Sequence, residues 1–69
     1  MRIQDIKLGE TYKFKKHPTT GYAKVIGILK PKEGINTYSY SLVKCEHTIM
    51  ENDIAGFIRY FKPDILIKL

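Results

Sequence analysis

In the stretch TYKFKKH, residues 11–17, Tyr12 and Phe14 alternate with Lys13 and Lys15. A period of two marks an extended segment with one face in a core and the other in water. The next four residues, PTTG, bring Pro18 and Gly21 together around two threonines, a turn of hairpin length that sends the chain back antiparallel. YAKVIGILK, residues 22–30, then reads as the returning strand, rich in β-branched residues and without helix caps. The first constraint on the fold is therefore a hairpin whose lysines face solvent.

The second strand carries a further condition. Ala23, Val25 and Leu29 fall on one face and Tyr22, Lys24, Ile26 and Ile28 on the other, so both faces are partly apolar. A strand of this kind packs one face near its start and the opposite face beyond a kink, and Gly27 is the position at which a bulge is expected. A barrel corner is the natural setting.

The remaining chain repeats the pattern of short strands and turns. PKEGIN, residues 31–36, is a polar turn, and TYSYSLVKCEHTIM after it predicts a third strand. Tyr38, Tyr40 and Leu42 share one of its faces and Ser39, Ser41, Val43 and Cys45 the other, with Val43 and Cys45 expected inside and the tyrosines partly exposed. ENDIAG interrupts the pattern, FIRYF at 57–61 predicts a fourth strand, and KPDIL a single helical turn with Pro63 at its first position. IKL at 67–69 supplies a last short strand. No repeat or low-complexity tract divides residues 1–69, and a chain of 69 residues makes one domain that buries only about 60% of its unfolded surface. The expected fold class is all-β, a small barrel of about five antiparallel strands with one helical turn near its C-terminal end.

Composition narrows the setting. A hydrophobic fraction of 43% suits one compact core, and Cys45, the lone cysteine, has no partner for an internal disulfide. MRIQDIKLGE lacks the apolar run of a signal peptide, and no stretch reaches the ~20 apolar residues of a membrane span. The expectation is a cytoplasmic protein with no membrane contact.

The order of elements resembles the SH3-like barrels shared by Tudor, KOW and similar modules. DIKLGETYKFK carries the resemblance at the start, with Gly9 ahead of the first strand, and GFIRYFKPDILIKL carries it at the end, where a strand, a helical turn and a short strand close the sheet. By size and by the lack of an enzyme signature, the chain also resembles short proteins of bacteriophages and other mobile elements. The barrel resemblance implies a binding module, because such folds engage nucleic acid, proline-rich peptides or protein surfaces.

Charge suggests which kind of partner. Residues 1–32 hold eight basic side chains against two acidic ones (+6), while residues 33–69 hold four against five (−1), which together give the net +5. Clustered lysines raise the local potential and release counterions on binding phosphate. The leading expectation is nucleic-acid binding, with Lys13, Lys15, Lys24 and Arg59 on phosphates and Tyr38 and Tyr40 stacking bases. Tyr22 is a further aromatic candidate. Set against it, strand lysines also serve only to solvate an edge, and tyrosines of a small barrel are commonly half-buried with a wet hydroxyl. The alternative is a protein-interaction module that binds a host protein or self-associates as a homodimer, with Tyr38, Tyr40 and Phe57 as anchors.

Enzyme chemistry has little to stand on. Cys45 and His47 share a strand face and His17 lies elsewhere, but Glu46 points the other way and a zinc site needs two more ligands. No orienting group or oxyanion hole accompanies the cysteine. The expectation is no catalysis, no metal and no cofactor. Glu46, Glu51 and Asp53 gather acid opposite in sign to the hairpin, which favours association between copies.

Overall fold

The structure, a computed structural model, describes residues 1–15, 21–48 and 57–69. Five strands follow in order: β1 (Thr11–Phe14), β2 (Tyr22–Leu29), β3 (Leu42–Thr48), β4 (Phe57–Phe61) and β5 (Leu66–Lys68). Single 3-10 turns cover Ile3–Asp5 and Pro63–Ile65, the second with Pro63 at its start. All strand pairs are antiparallel, and they form one sheet of order β4-β3-β2-β1-β5. The protein is thus a small all-β fold. Its sheet ends at β4 and β5, and among the described residues no pairing joins these two edges.

The hairpin pairing follows from the alternation of residues 11–15. Tyr12 stands opposite Ala23 and Lys13 opposite Tyr22, which turns Tyr12, Phe14, Ala23 and Val25 into the core. The strand ends at Phe14, short of the expected His17; Lys15 still donates its backbone N–H to Ile65 O at 2.8 Å, and residues 16–20, including most of the expected PTTG turn, lie outside the described residues. On the approach to β1, Gly9 takes φ +84°, in the left-handed region that costs an L residue about 1–2 kcal/mol. That turn lets Gly9 donate to Val25 O at 2.8 Å while Val25 donates to Glu10 O at 2.9 Å, so the entry segment is bonded to β2.

The kink in β2 lies where the sequence places it. Val25 pairs with Cys45 and Gly27 with Lys44, consecutive residues on β3, so Ile26 is the extra residue of a bulge. Beyond it the inward parity flips: Ile28, opposite Val43, packs on the core, whereas parity without the bulge would have put Leu29 there. A single inserted residue thus lets one strand bury apolar side chains from both of its nominal faces.

The core gathers Ile6, Tyr12, Phe14, Ala23, Val25, Val43, Cys45 and Leu66, with Ile3, Ile28, Phe61 and Ile65 packed against it. Phe14 meets the rings of His47 and Phe61 edge-on, with centroids 4.9 and 5.0 Å away. Such pairs contribute about 0.5–1.5 kcal/mol beyond area burial. The buried Tyr12 keeps a polar partner for its hydroxyl, which accepts from the Lys7 backbone N–H at 3.0 Å.

Two further boundaries depart from the sequence reading. The third strand begins at Leu42, not at Thr37, so Tyr38 and Tyr40 stand in the β2–β3 loop and not on a strand. There Pro31 has no N–H with which to extend β2, and Asn36, buried to 1% exposure, bonds Lys30 O and Tyr40 O, groups that a longer ladder would use. The last strand is Leu66–Lys68, one residue earlier than IKL, with Leu66 fully buried against Phe14 in the register.

Candidate nucleic-acid interface

The register places each hairpin lysine. Residues opposite one another across a ladder point to the same side, so Thr11 and Lys24, Lys13 and Tyr22, and Lys24 and Glu46 share the face turned away from the core. Lys44, opposite Gly27 and Tyr60, shares it too. Lys13, Lys24 and Lys44 are therefore diagonal neighbours on β1, β2 and β3, with α-carbons about 7–8 Å apart at each step. Lys15, exposed just past the end of β1, extends the row.

Local chemistry shapes this face. A Cβ on Gly27 would meet the Cβ and Cδ of Lys44 at 3.6 Å, so the alkyl stem of Lys44 lies across the glycine and its ammonium is carried outward. Glu46 is the acid in the row, directly opposite Lys24. Tyr22 and Tyr60 are half-buried on the same side. Lys44 escaped the sequence reading because its membership depends on the β2–β3 register.

Arg59 does not join these lysines. It pairs with Cys45, whose side chain is in the core, so the register turns Arg59 to the opposite side of the sheet, on the edge strand β4. There its guanidinium lies 5.7 Å from the Phe57 ring centroid, a cation–π contact on the strand itself. Of the expected phosphate contacts, the structure brings together Lys13, Lys15 and Lys24 and sets Arg59 apart.

Tyr38 and Tyr40 form a second, separate feature. Their rings stack with centroids 4.9 Å apart and an interplanar angle of 14°. The Lys62 ammonium lies 4.5 Å from the Tyr40 centroid. Asn36 fixes the loop beneath them: its Nδ2 donates to Leu29 O (3.1 Å), Lys30 O (3.0 Å) and Tyr40 O (2.8 Å), and its Oδ1 accepts from the Tyr38 N–H (3.0 Å). Lys32 takes φ +61°, its N–H donates to Tyr38 O at 3.2 Å and its Nζ to Thr37 O at 2.8 Å. Asn36 and Lys32 carried no signal as site residues, since a polar turn is the ordinary reading of PKEGIN.

No family model, curated protein or solved structure matches this chain.

The core side offers different chemistry. Cys45 is fully buried, burial pushes its thiol up to about 11, and the protonated sulfur makes one weak contact to Val43 O at 3.8 Å. His47 shares that side and lies edge-on to Phe14 and Phe61. His17, Glu51 and Asp53, named for metal or association roles, lie outside the described residues. Among the described residues no cluster of three or more His, Cys, Asp or Glu is placed to hold a metal ion, and no helix is long and apolar enough to cross a membrane.

Proposed function

We propose that the protein is a non-enzymatic, cytoplasmic binding module of SH3-like type that contacts nucleic-acid phosphates through the outer face of its sheet. The observation that carries this reading is the diagonal of Lys13, Lys24 and Lys44 across three adjacent strands, with Lys15 at its end. Lysines rooted at that backbone spacing can carry their ammonium groups to successive phosphates of a polyanion, and each phosphate neutralised releases counterions. The +6 balance of residues 1–32 supports the same partner. The SH3-like reading is supported by the kinked β2 and by the 3-10 turn that leads β4 into a short β5 paired with β1.

The test is a titration with oligonucleotides over a range of salt. Binding is expected to weaken linearly in log K against log salt, with a slope of about −0.7 for each phosphate contact on a single strand. Absence of binding at low salt, or affinity indifferent to salt, removes the proposal.

A second reading has its own observation. The edge strand β4 exposes Phe57 at 57% and Ile58 at 51%, on opposite sides of the strand. An open edge with apolar side chains is suited to pairing with another strand, from a host protein or from a second copy. Light scattering separates the copies, and a pull-down after nuclease treatment at high salt retains a protein partner but not one bridged by nucleic acid.

A further inference from the structure

The stacked tyrosines lie away from the lysine diagonal, and the loop that carries them is more firmly built than an ordinary turn. Asn36 is 1% exposed, and its amide bonds to the backbone of both tyrosines and to Leu29 and Lys30. Lys32 stands in the left-handed region, where glycine is the unstrained choice and an L side chain costs about 1–2 kcal/mol. A strained non-glycine residue at a fixed loop is a reason to look for use of its side chain. One of the three donors of the Lys32 ammonium goes to Thr37 O, and the group is otherwise exposed.

The platform is open on one side. Tyr38 is 52% exposed although one face of its ring rests on Tyr40, which leaves the other face to solvent. The Lys62 ammonium is at Tyr40, and Lys62 and Arg2, the latter ion-paired with Asp5 at 3.7 Å, line a surface hollow of about 500 Å³ beside it, with Asp64 as a further acid. An aromatic face held rigidly among cations fits a planar, π-faced group attached to a negatively charged chain.

We infer that the Tyr38–Tyr40 stack is a base-stacking platform for single-stranded nucleic acid, with a base on the open face of Tyr38, a neighbouring phosphate near Lys32, and the strand running on past Tyr40 to Lys62. The inference rests on the proposed nucleic-acid reading and deepens it, because duplex bases are stacked on each other and have no free face to offer. Charge complementarity selects this occupant over an apolar peptide. Stacking on one tyrosine is sequence-tolerant, since every base presents a π-face.

The experiment compares three probes of equal length: oligothymidylate, oligouridylate and an abasic oligonucleotide with the same phosphates and no bases. The wild-type chain is expected to bind at least one base-bearing strand roughly tenfold more tightly than the abasic strand. Tyr38→Ala is expected to remove that difference and leave abasic binding unchanged, while Tyr38→Phe, which keeps the ring, retains it. Tyr38 is exposed enough for alanine to be accommodated, and the amide spectrum of each variant verifies the fold. Equal affinity for based and abasic strands, or a Tyr38→Ala variant that binds bases like the wild type, overturns the platform but leaves the lysine face standing. Failure of every probe at low salt overturns both.

Discussion

The Asn36 side chain accepts a hydrogen bond from the Tyr38 backbone N–H at 3.0 Å, so a buried amide positions an exposed aromatic. The same amide donates to Tyr40 O at 2.8 Å. Two tyrosines that alternation alone would put on a strand are instead held in a loop, ring against ring. An amide bonded on both its oxygen and its nitrogen sets their backbone positions more tightly than a solvated turn does.

Replacing Asn36 tests that dependence. Asn36→Ala strands part-buried carbonyls of Leu29, Lys30 and Tyr40 and is expected to destabilise the fold by roughly 2 kcal/mol in urea titration. Asn36→Asp sets a carboxylate against those carbonyls and is expected to cost more, a large part of the ~3–10 kcal/mol that a chain of this length possesses. A loss within 0.5 kcal/mol for alanine, about the scatter of neutral surface changes, contradicts the positioning role.

Lys32 separates strain from use. Lys32→Gly relieves the left-handed backbone and removes the ammonium at Thr37, so stability is expected to hold or rise by up to about 1 kcal/mol. Affinity for oligonucleotide is expected to fall in the same variant. Should stability drop by more than about 1 kcal/mol, the bond to Thr37 would outweigh the strain and the lysine would be structural.

The two sides of the sheet differ in what they contribute to salt dependence. Lys13→Gln and Lys24→Gln together are expected to reduce the magnitude of the salt slope by about 1.4, at about 0.7 for each phosphate contact on a single strand. Arg59→Gln, on the opposite side beside Phe57, is expected to leave the slope unchanged. An Arg59 variant that matches the lysine pair would mean that the ligand wraps around the β4 edge.

Cys45 ties stability to alkaline pH. Burial raises its thiol from 9.0 to about 11, so the folded chain keeps the proton over a range in which the unfolded chain has lost it. This contribution is fully present below pH 9.0 and is lost as pH rises towards about 11, at up to ~1.4 kcal/mol per pH unit. Unfolding midpoints measured across that window should fall less steeply for Cys45→Ala than for the wild type. Parallel pH profiles would show that the thiol ionises alike in both states.

Local pattern carries much of this architecture. The alternation of Tyr12 and Phe14 with Lys13 and Lys15 determines which side chains of β1 are buried, because successive residues of a strand point to opposite faces whatever the strand pairs with. Gly27 in an otherwise β-branched run signals the kink, next to the bulged Ile26, and Pro63, whose ring fixes its own φ, signals the 3-10 turn. Lys13 and Lys24 fall on one face by the same local rule once the hairpin pairs.

Register and side-chain bonds to the backbone decided the rest. Lys44 joins the lysine row, and Arg59 leaves it, only through the pairing of β3 with β2 and β4, and pairing between strands is not encoded in the alternation of any one of them. The tyrosine stack depends on Asn36 reaching residues four to seven positions away in a folded loop, a geometry that strand propensity in TYSYS conceals. Periodicity specifies what a segment does with its own two faces; which faces meet, and which polar group displaces a ladder, is settled when the segments pack.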